Sequence, residues 1–252
     1  MLRSRIIPCL LIHNKGLVKT VKFKDPKYVG DPINAVKIFN EKEVDELIVL
    51  DIDATVEKRG PNIEMIKNLA DECRMPFCYG GGITTVDQAK KIINLGVEKI
   101  ALSNSALNDL ELCEKIGKII GKQSVVVVID VKKNFFGGYN IYTHNGTKKS
   151  SWKVDDLIRM LEKIGIGEIV INSIDNDGTL IGYDMEIIKK IRKICTMPLT
   201  LLGGAGSLDD IKKTINKFKI IGVSAGSLFV FKGKYRAVLI NYPNREERKP
   251  LY

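Results

Sequence analysis

Eight short runs of apolar, β-branched residues punctuate the chain at nearly even intervals, and amphipathic segments fill the gaps. The runs fall at residues 5–12, 46–52, 76–79, 99–103, 124–131, 168–173, 199–202 and 220–225. Their apolar residues are consecutive, whereas a strand with one wet face alternates polar and apolar positions. Strands covered on both faces of a parallel sheet read this way. The segments 62–73, 85–95, 110–120, 154–164, 185–194 and 208–218 instead repeat apolar residues at helical spacing, as Ile187, Ile188, Ile191 and Ile194 do. Eight βα units of about 31 residues each fit a closed barrel better than an open sheet. The expected fold class is therefore α/β, a (βα)8 TIM barrel. Residues 1–231 are expected to form it as one domain, with 232–252 as an extended C-terminal tail.

The two halves of the chain resemble each other. VDELIVLDID (44–53) matches IGEIVINSID (166–175), and GGGI (80–83) matches GGAG (203–206), at offsets of 122 and 123 residues. Two matches in one order at one offset imply a barrel built as two similar half-barrels.

Three segments depart from the rhythm. Residues 13–31 read as a long connection after the first strand, a candidate lid. Residues 132–150, KKNFFGGYNIYTHNGTKK within them, read as a hairpin turning at Gly137 and Gly138. The tail from Lys232 carries two prolines and no clean helical pattern, so it is expected to pack partly and then fray.

Composition narrows the function classes. Lys plus Arg is 40 against 30 Asp plus Glu, a net +10. That excess admits nucleic acid, an anionic membrane surface or anionic small molecules. The lysines are dispersed and no aromatic-rich RNA-binding signature is present, so a phosphorylated small molecule is expected and nucleic acid is not. No apolar run reaches the roughly 18 residues needed to cross a bilayer, and the N-terminus lacks a signal-peptide pattern, so no membrane partner and a cytoplasmic location are expected. Cys9, Cys73, Cys78, Cys113 and Cys195 contain no C-x-x-C and read as buried reduced thiols. With only His13 and His144, no metal site and no cofactor are expected.

In a barrel of this kind chemistry sits at the C-terminal ends of the strands. Those ends are rich in small residues: Gly80 to Gly82, Ser103 to Ser105, Gly203 to Gly206 and Ala225 to Ser227. Glycine lets backbone N–H groups approach an anion, and a following helix start adds partial positive charge. The two pairs of motifs are candidate phosphate sites on opposite sides of the mouth; tight turns alone would also use glycine. Asp130 ends the otherwise apolar run SVVVVID. It is either a general acid or base with a raised pKa or a carboxylate that ties down loop backbone. The corresponding position on the first strand is Leu11, so the symmetric site has one carboxylate and not two.

RIIPCLL, GDPINAVKIFNEKEVDELIVLDIDAT, PFCYGGGI, GVEKIALSNSAL, SVVVVIDVK, GEIVINSIDNDGTLIGYD and LGGAGSLDD, in that order, resemble the cyclase subunit of imidazole glycerol phosphate synthase of histidine biosynthesis. The resemblance covers about residues 1–230. It implies a (βα)8 barrel that binds a bisphosphorylated substrate and receives ammonia along its axis from a glutaminase partner at its N-terminal face. The family's two catalytic aspartates correspond to Asp130 and to Leu11, which transfers no proton. Its phosphate and substrate positions correspond to Lys19, Gly82, Ser103, Asn104, Asp177, Gly178, Gly204, Ala225, Gly226 and Ser227, with Ser103 standing for the usual asparagine. Leu202 replaces a serine of the seventh-strand motif. The ring that gates ammonia corresponds to Arg5, Glu46, Lys99 and Glu168, with Glu98 nearby; without the resemblance, such a ring reads as a salt-bridge plug.

The leucine pair at 10–11 and the LINYP tail look like a paralogous branch of that family, associated with surface-polysaccharide and flagellin-sugar modification. The resemblance implies an ammonia-conducting, cyclase-like subunit of a glutamine-dependent system that makes acetamidino sugars, with a sugar amidotransferase as a further partner. Two alternatives stand beside it: the histidine-pathway cyclase itself, a lyase forming imidazole glycerol phosphate and AICAR, and a non-catalytic scaffold that activates a glutaminase.

Overall fold

In a computed structural model that describes residues 3–251, the apolar runs form a closed parallel barrel. In chain order the strands are β1 (Arg5–His13), β2 (Gly16–Val21), β3 (Lys24–Gly30), β4 (Leu47–Asp51), β5 (Phe77–Gly80), β6 (Lys99–Leu102) and β7 (Val125–Lys133). There follow β8 (Tyr139–Thr143), β9 (Lys148–Lys149), β10 (Glu168–Ser173), β11 (Leu199–Leu202), β12 (Gly222–Ala225), β13 (Phe231–Lys232) and β14 (Ala237–Val238). The barrel order is β1, β4, β5, β6, β7, β10, β11, β12, and β12 returns to β1 through the pairs Arg5↔Gly222 to Pro8↔Ala225. The half-length repeat makes β4 the counterpart of β10, and β5 the counterpart of β11.

Alternate residues of each barrel strand serve two cores, which is why the runs are apolar throughout. Ile6, Val49, Phe77, Val127 and Ile169 face outward into the layer shared with the helices. Ile7, Cys9, Ile48, Cys78, Ala101, Val126, Val128, Val170 and Leu202 fill the inside of the barrel. The surrounding helices are α1 (Pro32–Glu41), α2 (Ile63–Glu72), α3 (Val86–Asn94), the short α4 (Asn104–Asn108), α5 (Leu110–Ile120), α6 (Val154–Ile164), α7 (Met185–Arg192) and α8 (Leu208–Phe218). Their starts are set by side-chain caps: Asp31 accepts from Asn34 N–H ahead of Pro32, and Thr85 with Gln88 and Ser207 with Asp210 form capping boxes. The one-turn α9 (Ser227–Val230) and α10 (Arg245–Arg248) complete the set. No described helix is long and apolar enough to cross a membrane.

Two expectations are corrected here. Residues 13–31 are not a loop: β2 and β3 form an antiparallel hairpin that extends β1 beyond the barrel, with Leu11 opposite Val18. Leu17, Val18 and Val29 anchor it; because Leu17 and Val18 are adjacent and β3 buries only Val29, no alternation marks either strand in the sequence. Nor does the tail fray within the described residues. After the β13–β14 ladder it crosses to the N-terminal face, where Tyr242 Oη donates to the Ile6 carbonyl at 2.8 Å and Arg248 pairs with Asp45 at 3.1 Å. Arg248 and Leu251 are buried there. The hairpin expected at 132–150 is present as β7–β8–β9, with Gly137 at φ 78° in its turn.

Candidate functional site

The C-terminal strand ends enclose one cavity of about 440 Å³. Its apolar floor is made by Cys9, Leu11, Leu50, Ala101, Val128 and Leu202, the upper residues of the barrel interior. Polar groups ring that floor. Of the residues singled out from sequence, Leu11, Lys19, Gly82, Ser103, Asn104, Asp130, Asp177, Gly226 and Ser227 all line it. Gly178, Gly204 and Ala225 do not. Gly178 packs against the Thr20 carbonyl and Gly204 against the Gly182 carbonyl, and Ala225 is buried in the ladder opposite Pro8.

Asp130 interrupts the apolar part of β7, between Ile129 and Val131, and lies in register with Asn172 of β10. Asn172 Nδ2 donates to Asp130 Oδ1 at 3.0 Å. Burial pushes the Asp130 carboxyl up to about 7, with the Asn172 bond opposing and the Asp177 carboxylate reinforcing the shift. A carboxyl held near neutrality can both give and take a proton at physiological pH. Leu11 lines the same cavity from β1 and brings no titratable group to it.

Lys19 reaches in from the β2–β3 hairpin and is buried, its ammonium donating to the Cys9 carbonyl. Burial lowers its pKa, with Cys9 and Asp177 acting in the opposite direction. A Cβ at Gly226 would clash with Lys19 Nζ and stand 3.2 Å from the Cys9 carbonyl, so a side chain there would displace the lysine tip. Asp177, raised by burial against the pull of Lys19 and Thr20, accepts from Thr20 Oγ1 at 3.1 Å. On the far side Gly82, at φ 72°, runs under the loop that follows β4, where a Cβ would stand 2.7 Å from the Arg59 carbonyl. That loop carries an unforeseen pair. Arg59 grips the buried Asp51 with two bonds, at 2.8 and 2.9 Å, while Asp51 also accepts from the N–H groups of Asp53 and Ala54. Thr20, Arg59, His144, Asn145 and Asn172 line the cavity without having been identified from sequence. A polar residue inside the apolar run EIVINS was the available signal for Asn172.

At the opposite end of the barrel four charges meet. Arg5 bonds both Glu46 and Glu168, at 2.7 Å to Glu168 Oε1, and Lys99 Nζ bonds Glu46 at 2.7 Å and Glu168 at 3.1 Å. Thr200 donates its hydroxyl to Glu168. Both carboxylates are buried. For Glu168 burial alone would raise the pKa, but Arg5 and Lys99 outweigh it and hold the group below its ordinary value. Lys99 is raised for the complementary reason, Glu168 and Glu46 overcoming burial. Glu98, beside the ring and exposed, accepts from the Phe77 N–H at 2.5 Å. Between ring and cavity the interior carries Ile7, Ile48, Ala101, Val126 and Val170, the thiols of Cys9 and Cys78, and the hydroxyl of Ser224, which donates to the Ile7 carbonyl at 2.8 Å. All five cysteines are free; four are buried and Cys73 is half-buried against Met75. Among the described residues no group of three or more metal-type ligands occurs.

A family model described as histidine biosynthesis protein matches residues 5–236. A Leptospira borgpetersenii protein provisionally named imidazole glycerol phosphate synthase subunit HisF is 54% identical over 253 residues, covering all of both chains. A Pseudomonas aeruginosa protein provisionally named as subunit hisF2 of that synthase is 52% identical, over 97% of each chain. The imidazole glycerol phosphate synthase subunit HisF of Streptococcus sanguinis is 36% identical over 91% of each chain.

Proposed function

The chain belongs to the histidine biosynthesis protein family, among its imidazole glycerol phosphate synthase HisF subunits, and from that premise we propose that it is an ammonia-conducting member that has given up the cyclase reaction. In this reading a glutaminase docks at the N-terminal face, ammonia passes the ring of Arg5, Glu46, Lys99 and Glu168, and the apolar interior carries it to the cavity. There it serves a glutamine-dependent amidation of an acetamido sugar to an acetamidino sugar, with a sugar amidotransferase as the acceptor partner that activates the amide oxygen with a nucleoside triphosphate, so that this oxygen leaves on the phosphoryl product as ammonia adds to the carbon. A phosphorylated ligand is held between Gly82, Ser103 and Asn104 on one side and Lys19, Gly226 and Ser227 on the other.

The observation that carries the proposal is the contrast between the two ends. The ring is complete and fully paired, whereas the cavity presents Asp130 without a second carboxylate on β1, where Leu11 stands. An uncharged ammonia molecule crosses an apolar passage at little desolvation cost, unlike ammonium. The test is cyclase turnover with the histidine-pathway precursor and ammonia supplied directly. The expected result is little or no imidazole glycerol phosphate; turnover at the rate of a histidine-pathway enzyme assayed in parallel would overturn the reading.

A further inference from the structure

The chain's net charge is concentrated on three hairpins around the cavity mouth. Residues 13–31, 132–153 and 231–238 hold thirteen Lys and Arg against two Asp, a net +11, while the whole chain carries +10. The rest of the chain is thus one charge from neutral. Eleven of the thirteen are exposed lysines; Lys19 is buried and Arg236 is half-buried. The five most exposed large apolar side chains among the described residues lie at this same end: Phe135 (97%), Phe136 (93%), Tyr235 (90%), Ile181 (74%) and Tyr28 (65%).

These groups are held together by one loop. Lys22 N–H donates to the Asp177 carbonyl at 2.9 Å, Lys133 N–H to Asp175 at 2.8 Å, and the Arg236 guanidinium to the Gly178 carbonyl. All three hairpins are therefore tied to the segment that follows β10, which itself carries Ile181. The phenylalanine tip is a built turn. Asn134 Oδ1 accepts from Phe136 N–H at 3.0 Å and Gly138 N–H at 2.9 Å, and the two rings meet edge to face at 5.7 Å.

We propose that this end of the barrel binds the surface of an anionic bilayer, with Phe135 and Phe136 entering the interfacial layer and the lysines meeting lipid phosphates. Separate aromatic tips on separate hairpins need no matching sockets in a fluid interface, and lysines near an anionic surface each add to the attraction. The charge of these segments is almost wholly of one sign, which complements a lipid surface. The chain lies on the membrane and does not span it, and the cavity then opens toward the bilayer.

The test is co-sedimentation of the full chain with vesicles of phosphatidylcholine alone, or with about 30% phosphatidylglycerol, at about 0.1 M salt. Binding at least about tenfold stronger to the anionic vesicles is expected. Phe135→Ser with Phe136→Ser should weaken it about tenfold, and Lys148→Glu with Lys149→Glu at least as much. All four positions are exposed, and circular dichroism checks that the variants fold. Equal weak binding to both vesicle types would overturn the proposal. So would anionic binding that ignores the phenylalanines, or binding to heparin or an acidic protein without binding to vesicles.

Discussion

Glu46 and Glu168 occupy equivalent positions in the two half-barrels, 122 residues apart, and both hold the same two cations, Arg5 and Lys99. Each carboxylate is buried, and the pairing offsets the desolvation that burial imposes. Removing one cation leaves two buried carboxylates sharing the other. Lys99→Ala should therefore lower stability by about 3 kcal/mol, and Lys99→Arg by much less. Urea unfolding of the two variants checks this; equal midpoints for wild type and Lys99→Ala would show that the pairs contribute nothing.

Asp130 should make stability depend on pH. Its ordinary value is 3.8 and its buried value about 7. Between about pH 4 and 7 the folded chain keeps a proton that the unfolded chain has lost, so stability falls as pH rises through that window. Asp130→Asn removes the effect. At pH 8 the variant should be more stable than wild type by roughly 2–4 kcal/mol, and at pH 4 hardly at all. Thermal unfolding at the two pH values is the measurement. A variant that parallels wild type at both would place the carboxyl in a wetter setting than the one described.

Arg59 should hold the loop after β4 in place. Its two bonds fix the buried Asp51 beneath that loop, and Gly82 passes directly under the Arg59 carbonyl. Arg59→Met leaves Asp51 without its cation and should cost about 1–3 kcal/mol. Amide hydrogen exchange over residues 52–60 should speed up in that variant; unchanged protection would assign the loop's order to packing alone.

Leu11→Asp should restore part of a cyclase reaction if the rest of the cavity can still support one. One member of an acid–base pair is typically worth about 10²–10⁴-fold. Imidazole glycerol phosphate formed from the histidine-pathway precursor with ammonia is the readout. A variant as inactive as wild type would show that more than position 11 separates this cavity from that chemistry.

The barrel was legible because consecutive apolar strand residues serve two cores at once, as Ile6 and Ile7 do on opposite faces of β1. The half-length repeat gave the pairing of Glu46 with Glu168. The β2–β3 hairpin is not legible because Leu17 and Val18 are adjacent and β3 buries only Val29, so neither strand shows an alternating pattern. The tail's return to Asp45 escaped notice because a contact more than 200 residues away leaves no local pattern. In the site, Asp130 announced itself as a charge set into an apolar strand. Arg59 did not, since its role depends on a loop folding back over its own strand.

The most direct test of the central claim follows nitrogen. The full chain is combined with a glutaminase, a sugar amidotransferase, an acetamido sugar, ATP to activate the departing amide oxygen and glutamine labelled with ¹⁵N in the amide, and label in the amidino group is read by mass spectrometry. The account predicts that label reaches the sugar when the chain is present. It also predicts that Lys99→Ala releases more glutamate per sugar amidated than wild type. Label transfer that is the same with the chain omitted, or an unchanged ratio in Lys99→Ala, would contradict conduction through the barrel.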